Sequence, residues 1–287
     1  SAFCNAGIDI FAENSLGDYA TNPIINIVTS ALIILGGIGY IVWWDVLRVA
    51  RSGAVRKGHF WCHLTLHSKI AITTSAILVF GGGLLILLCE FNNPLTIGEL
   101  SFFDKIQVSL FQSVTTRTAG FASVPQENLR DTTSVISMAM MLVGGSPVGT
   151  AGGLKTVTVA VLICSAFATI RNKSEASLFG RRISSDSIRR AVAVIVVFGC
   201  FALVSTTLLA AATGANLLDV VYESVSAIAT VGLSRGFTGS LNVWGKLIVI
   251  VTMYLGRVGP ISLAVALGSD NESQNVISEP EEDISIG

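Results

Sequence analysis

Charged residues are scarce in this sequence. Asp, Glu, Lys and Arg make up 13% of its 287 residues, about half of the roughly 25% that soluble domains carry. The formal net charge is −1, so the chain lacks the excess of basic residues that a nucleic-acid surface requires. These two shortages argue against an ordinary cytosolic enzyme and against a nucleic-acid partner.

Motifs of catalysis and of nucleotide binding are also missing. The sequence contains no Ser/His/Asp set and no HExxH, Walker or dinucleotide-binding motif. Its five cysteines include no CxxC pair, which favours reduced, apolar thiols over a disulfide framework or a metal site. We therefore expect that the protein is not an enzyme and that this chain binds no nucleotide.

Apolar residues, by contrast, make up 51% of the chain. A helix needs about 20 of them to cross a lipid bilayer, and five segments approach that length: 24–44, 70–89, 132–170, 191–212 and 243–267. The segment 132–170 is too long for one straight helix and is interrupted by GGSPVGTAGG at 144–153. The sequence predicts an all-α, multi-pass membrane protein with five spans, one of them broken near its middle.

Basic residues predict the orientation of these spans in the bilayer. They cluster in two of the connections, which we expect to be cytoplasmic because loops on that side carry the excess of Lys and Arg. The acidic segment 279–283 would then also lie inside. The clusters are Arg48, Arg51, Arg56 and Lys57, and Arg171, Lys173, Arg181, Arg182, Arg189 and Arg190.

Two segments too short to cross the bilayer, 103–116 and 218–229, precede glycines that recur through the chain. Gly7, Gly120 and Gly232 are separated by 113 and 112 residues, in the contexts NAGI, TAGF and TVGL. Polar backbone at membrane depth is tolerated only where protein buries it or where it lines a watery cavity. The phased repeat favours re-entrant pore helices; ordinary extracellular loop helices are the alternative.

Backbone carbonyls after such helices can replace the water around K⁺. Aligning successive carbonyls requires backbone angles that glycine adopts without a Cβ clash, and the negative ends of the pore helices would favour a cation. The alternative is that these residues form simple turns. The predicted filter carbonyls, which would bind K⁺, belong to Asn5, Ala6, Gly7, Thr118, Ala119, Gly120, Thr230, Val231 and Gly232.

Four runs of the sequence resemble the Trk/Ktr/HKT superfamily of potassium transporters. FQSVTTRTAGF at 111–121 is similar to its third pore loop, and GGSPVGTAGGLKT at 144–156 to its broken third-repeat helix. ATVGLS at 229–234 resembles the fourth filter strand, and YLGRVGP at 254–260 the last helix with its characteristic arginine. The short acidic tail is most like that of the membrane subunit of a bacterial Ktr system.

This resemblance implies pseudo-fourfold helix–pore loop–helix repeats, of which the chain holds an incomplete set. Residues 1–57 would supply a filter strand and the second helix of a repeat, 58–170 a complete third repeat, and 171–287 a complete fourth repeat with an acidic cytoplasmic tail. We expect the chain to be the C-terminal portion of a longer subunit, and whether it conducts alone stays open. The resemblance also implies K⁺ uptake across the bacterial cell membrane, a homodimer, a cytoplasmic nucleotide-binding (RCK-type) regulatory ring, and Na⁺ as an activator in some members.

The interrupted segment is the predicted gate. A run so rich in glycine and containing a proline cannot sustain a helix across lipid, so we expect its unpaired amides to face a cavity. A passive kink is the alternative. The predicted gate residues in and beside this loop are Gly145, Ser146, Pro147, Gly149, Thr150, Gly152, Gly153 and Lys155.

Arg257 joins the gate because a charge within an apolar span is costly unless it is paired. The resemblance implies that Arg257 forms a barrier under the filter and bonds to carbonyls of the 145–153 loop; snorkelling to the interface is the alternative. Lys155 either lines the lower cavity or marks the restart of the helix.

Other charged residues have two interpretations each. Arg117 cannot point into a cation pore, and we expect it to pair with an acid, with Glu223 as the candidate. Asp9 lies at the outer mouth and attracts cations, or it is a solvated surface residue. His59, His63 and His67 would stack on one helix face, where interfacial anchoring is favoured over a metal site.

Two further functions stay open from the residues alone. A broken helix also suits a Na⁺-coupled secondary transporter with discontinuous helices. A non-conducting scaffold subunit would require the filter repeats to be fortuitous.

Overall fold

The computed structural model describes residues 1–9, 15–52, 60–173 and 175–259. Arg56, Lys57, His59 and the acidic segment 279–283 lie outside these ranges, so the predictions made for them are not examined by the structure.

Helices dominate the described part of the chain, as the sequence predicts. A two-stranded hairpin, β1 (Ser177–Leu178) and β2 (Arg181–Arg182), lies between two of them, and short 3₁₀ turns occur at Ala2–Cys4, Gly17–Tyr19 and Gln126–Asn128. The helices are α1 (Pro23–Gly37), α2 (Tyr40–Arg51), α3 (Phe60–His63), α4 (Leu66–Glu90), α5 (Phe102–Thr115), α6 (Asp131–Leu142), α7 (Thr156–Ile170), α8 (Ser185–Thr213), α9 (Leu217–Ile228), α10 (Phe237–Ser240) and α11 (Val243–Val258).

Several helices begin where a polar residue can accept a hydrogen bond from the first free amides of the helix. Thr65, Ser101 and Ser184 cap α4, α5 and α8 through their hydroxyls. Asn216 and Asn242 cap α9 and α11 through their side-chain oxygens. Three of these starting points, those of α5, α9 and α11, lie within one residue of the positions predicted from the sequence.

Among the residues that the structure describes, two helices, α4 with 25 residues and α8 with 29, are long and apolar enough to cross a membrane. The predicted span 24–44 is wrong as a single helix: α1 and α2 meet at Ile38–Gly39 with a bend of 96°. Gly39 has a φ of 85°, which a right-handed helix excludes. The last predicted span is described only as far as Val258, where α11 ends.

The two short segments are helices, α5 and α9, and they are largely buried. Phe111 of α5 is 1% exposed and Tyr222 of α9 is 0% exposed. α5 packs on α4, whereas α9 packs against α8 and α11. This burial excludes the alternative of surface loop helices. Each short helix follows a long one, α4 or α8, and we refer to the helices from α4 to α7 as the α4–α7 unit and to those from α8 to α11 as the α8–α11 unit.

Candidate functional site

The three glycine triads, residues 5–7, 118–120 and 230–232, meet at one place. A Cβ on Gly7 would lie 2.6 Å from the carbonyl oxygen of Ala119 and 3.1 Å from the Cα of Gly120. A Cβ on Gly120 would collide with the carbonyl oxygen of Val231, and one on Gly232 would lie 3.8 Å from the Cα of Gly120. Segments more than a hundred residues apart therefore share a common centre.

The backbone alternates in the same way in all three triads. The first residue has positive φ, namely 49° at Asn5, 64° at Thr118 and 56° at Thr230. The glycines follow with 62°, 82° and 93°, whereas the middle residues do not have positive φ. The sign of φ thus alternates along each triad, and the same alternation recurs in three segments that are far apart in the sequence. A row of backbone carbonyls turned to one side is what binding a bare cation requires.

A hydroxyl before each triad, which the sequence analysis missed, supports this geometry. Thr115 donates from Oγ1 to the carbonyl of Phe121 at 2.6 Å. Ser226 Oγ accepts from the N–H of Gly232 at 3.2 Å, and Ser1 Oγ accepts from the N–H of Ile8 at 2.9 Å. A hydroxyl residue five or six positions before each glycine was the available signal.

A second feature missed from the sequence is a buried contact behind the triads. Gln126 Oε1 accepts hydrogen bonds from Gln112 Nε2 at 2.6 Å and from the hydroxyl of Tyr222 at 3.0 Å. Gln112 lies on α5 and Tyr222 on α9, so one side chain joins the two pore helices. The three residues are at most 4% exposed.

The interrupted segment forms a loop between α6 and α7, directly under the triads. We expected its amides to face a cavity, and that expectation is wrong for several of them. The N–H groups of Ser146 and Thr150 donate to the carbonyls of Gly37 and Gly36 at 2.8 and 3.2 Å. The bend after α1 leaves those carbonyls without helical partners. The free amides of the loop therefore bond to the free carbonyls at the end of α1.

Glycine is required in this loop because other backbone passes close to it. A Cβ on Gly152 would collide with the hydroxyl of Thr230, and one on Gly144 with the carbonyl of Gly152. The predicted gate residues 145–153 are thus brought together beneath the triads. Proline is accommodated because Pro147 lies outside any helix, between α6 and α7.

Arg257 reaches the loop as expected. Its Nη1 donates to the carbonyl of Thr150 at 2.9 Å. Its setting differs from the expectation, because Arg257 lies in the last turn of α11, and Gly259 follows with a φ of 82°. A cation is favoured at that end of a helix.

Two cavities meet at Arg257. One, of about 420 Å³, lies between Asn5–Ala6 and Thr230–Gly232. The other, of about 400 Å³, lies below the loop. Lys155 lines the lower cavity, is the capping residue of α7, and donates to the carbonyl of Ala151 at 2.7 Å. Both interpretations of Lys155 therefore hold.

The expected pair of Arg117 with Glu223 is absent. Arg117 is 4% exposed and donates instead to the hydroxyl of Ser75 on α4 at 2.9 Å. Glu223 accepts from the hydroxyls of Ser234, at 2.7 Å, and Thr238. The carboxylate thus accepts hydrogen bonds from two residues that follow its own triad. Within the described ranges Arg117 forms no ion pair.

The histidine prediction is also corrected. α3 ends at His63 and α4 begins at Leu66, so His63 and His67 do not share a helix face, while His59 lies outside the described residues. The part of the chain that the structure covers contains no His/Cys/Asp/Glu group that could hold a metal. Asp9 is partly buried beside the first triad, and its role stays a prediction.

Comparison with known proteins agrees with the fold. The family described as TrkH, cation transport protein, matches residues 1–278. The fold is similar to that of the crystal structure of the potassium transporter TrkH from Vibrio parahaemolyticus, with a TM-score of 0.74 and 18% identity. That likeness covers 93% of this chain and 56% of the other.

Curated relatives are similar over the whole chain. The potassium/sodium uptake protein NtpJ of Enterococcus hirae is 36% identical over 100% of this chain and 62% of its own length. The Ktr system potassium uptake protein B of Bacillus subtilis is 36% identical over 95% of this chain and 59% of its own. The chain thus spans about three fifths of these relatives. The predicted Trk/Ktr kinship is confirmed, and the chain belongs to the TrkH family of cation transport proteins.

Proposed function

We propose that this chain supplies three of the carbonyl strands of a pore through which a bacterial cell takes up K⁺. The single observation that carries the proposal is the convergence of three triads with the same alternating backbone. Neutral carbonyl dipoles directed at one centre favour a dehydrated cation. The names of the relatives, which are potassium and potassium/sodium uptake proteins, support the same substrate class.

The pore needs a fourth strand to close around the ion. The triad at 118–120 contacts both of the others, whereas the cavity of about 420 Å³ separates 5–7 from 230–232. We infer that a fourth strand, from a repeat outside this chain, occupies that cavity. The divisions 1–57, 58–170 and 171–287 would then be the end of the second repeat, the third and the fourth.

In this proposal the loop at 145–153 serves as the gate, and Arg257 supplies a positive charge that opposes the passage of a cation. The guanidinium bonds to the Thr150 carbonyl of the loop and lines the cavity below it. A fixed positive charge at the loop raises the barrier for a cation that passes beneath the filter. Displacement of the loop would break its backbone bonds to Gly36 and Gly37 and its bond to Arg257.

Potassium uptake in a transport-deficient bacterium tests the proposal. The chain alone is compared with a version that carries the added N-terminal repeats. We expect uptake from the longer version, with K⁺ preferred over Na⁺, and little from the chain alone. Absence of uptake from the longer version contradicts the proposal. A Na⁺ titration separates activation by Na⁺ from coupled Na⁺/K⁺ transport, in which K⁺ flux would require a Na⁺ gradient.

We also propose a homodimer controlled by a cytoplasmic nucleotide-binding ring. Exposed cations on the predicted inner face, including Arg51, Arg171 and Arg181, are the surface available to it. Nucleotide control would enter through the ring. Co-purification of the membrane subunit with and without its ring, followed by measurement of the mass in detergent, tests both assemblies.

A further inference from the structure

The first residue of each triad has a left-handed backbone conformation, which the threonine side chain disfavours. Asn5, Thr118 and Thr230 all have positive φ, and a β-branched residue such as threonine is a real outlier there. Such a residue costs free energy and persists only where surrounding contacts enforce it. Those contacts therefore control the direction of the carbonyls.

One residue of the glycine-rich loop makes two of these contacts. The N–H of Gly152 donates to Thr118 Oγ1 at 3.1 Å, in a position without solvent exposure. The Cα of the same glycine packs against the Thr230 hydroxyl so closely that a Cβ would collide with it. The loop thus touches the side-chain hydroxyls of both strained threonines.

Thr150 connects the loop to the remaining triad. Its hydroxyl donates to Asn5 Oδ1 at 2.9 Å, with the carbonyl of Phe3 as a second acceptor at 3.1 Å. Asn5 Nδ2 donates to the carbonyl of Arg117 at 3.3 Å, which orients Oδ1 toward the loop. One buried amide therefore joins the loop, its own triad and the residue before the next triad.

Thr150 is held in turn by two helices. Its N–H donates to the carbonyl of Gly36 at the end of α1, and its carbonyl accepts from Arg257 on α11. A displacement that separates the loop from Arg257 also withdraws the Thr150 hydroxyl from Asn5. The position of the loop and the conformation of the filter are thus linked by specific hydrogen bonds.

From this geometry we propose that the loop determines ion selectivity as well as blocking the pore. Residues 150–152 hold Asn5 and Thr118 in the left-handed conformation, and displacement of the loop releases them. A released Thr118 relaxes to negative φ and turns its carbonyl away from the shared centre, so K⁺ loses a ligand. This inference rests on the proposed role of the triads as a potassium filter.

Paired substitutions test the link. Thr150→Val retains the β-branched shape and removes the hydroxyl, and Thr118→Val removes the acceptor of the Gly152 N–H. Thr150→Ser retains the hydroxyl that donates to Asn5, and Thr118→Ser retains the hydroxyl that accepts from Gly152. Thr156→Val is the matched control, because the Thr156 hydroxyl lies 3.0 Å from that of Ser146 within the loop region and is not linked to a triad.

The measurement is the ratio of K⁺ to Na⁺ uptake by the protein at its natural length in a transport-deficient bacterium. A ratio within one sample does not depend on how much protein folds. We expect both valine variants to lower it about fivefold, the effect of one lost hydrogen bond, and both serine variants to stay within about twofold of wild type. Thr156→Val should leave the ratio unchanged, because its contact with Ser146 does not reach a triad.

A double variant sharpens the test. If the bond carries the effect, Asn5→Ala combined with Thr150→Val lowers the ratio no further than the more severe single change, because coupled residues are not additive. Unchanged ratios in both valine variants, with K⁺ uptake intact, overturn this inference and leave the proposed function standing. A wild-type protein that takes up no K⁺ overturns both.

Discussion

The α4–α7 unit and the α8–α11 unit contain the same kind of short buried helix and triad, but they differ in the segment beyond the triad. In the first, α6 ends at Leu142 and the chain returns under the triads before α7 begins at Thr156. In the second, α11 runs without a break from Val243 to Val258 and carries Arg257 in its last turn. One unit places backbone beneath the triads, and the other places a guanidinium there.

This difference shows which parts of a unit are constrained. Each triad depends on local bonds to the helix before it: the N–H of Ala119 bonds to the carbonyl of Thr115, and that of Val231 to the carbonyl of Ser226. The segments after the triads differ between the units. One contains the loop between α6 and α7, and the other contains α11 with Arg257, which bonds to that loop. Substitutions at equivalent positions of the two units can therefore separate shared from specialised roles.

The largest expected effects are at the two filter glycines. Gly120→Ser should abolish uptake, because its Cβ collides with the carbonyl of Val231. Gly232 has a φ of 93° and lies beside the cavity that we assign to the fourth strand, so in the complete pore Gly232→Ser meets that strand in addition to the strain of its backbone. We expect it to lower the K⁺-to-Na⁺ ratio by at least about tenfold, given the 1–3 kcal/mol cost of such strain. Uptake of both ions by the two variants checks these expectations.

Undiminished uptake by Gly120→Ser, with a normal amount of protein in the membrane, would contradict the geometry of the shared centre. Unchanged selectivity in Gly232→Ser would contradict the filter assignment itself.

The next effect concerns the two cations near the loop. Arg257→Gln retains a donor for the Thr150 carbonyl and removes the charge at the loop, so K⁺ flux should rise roughly threefold to tenfold as the electrostatic barrier falls. Lys155→Gln is the matched control. Its charge lies only in the lower cavity, and we expect a smaller rise. Initial rates of K⁺ uptake distinguish the two, and a larger effect at Lys155 would assign the barrier to the other unit.

Much of this molecule is predictable from local signals. Segments predicted at 103–116 and 218–229 are the helices Phe102–Thr115 and Leu217–Ile228, because their apolar patterns and caps lie within a few residues. The glycine period also indicated the shared centre, since each triad needs the same backbone angles. The bond from Arg257 to the loop followed from the family resemblance.

Apart from the helix break between His63 and Leu66, the main errors concern distant partners. The bend at Ile38–Gly39 falls within an apolar run, and it becomes stable because Ser146 and Thr150, more than a hundred residues away, use the carbonyls it exposes. Arg117 bonds to Ser75, 42 residues earlier, and not to the carboxylate that charge alone suggested. Hydrogen bonds of this kind depend on packing, which no local pattern records.

A smaller effect is expected at the hydroxyls before the triads. Thr115 makes a buried bond of 2.6 Å to the carbonyl of Phe121, whereas Ser226 accepts at 3.2 Å from the N–H of Gly232. Thr115→Val should lower the K⁺-to-Na⁺ ratio about threefold, and Ser226→Ala should lower it less. Thr115→Ser is the conservative control. The reverse order in the uptake ratios would mean that the α8–α11 unit dominates the filter.

The smallest effect on transport is expected where the units differ just before the triad, at Arg117 in one and Ala229 in the other. Ser75→Ala leaves the buried guanidinium without its side-chain partner, which should lower the free energy of unfolding by about 1–3 kcal/mol. Because Arg117 touches the filter only through its backbone carbonyl, bonded to Asn5, the uptake ratio should change less than about twofold. Thermal unfolding in detergent and the uptake ratio are measured together, with Ser75→Thr as the control that retains the hydroxyl. A large fall in the ratio at unchanged stability would mean that the Arg117 charge acts on the ion directly, a role that Ala229 cannot have in the other unit.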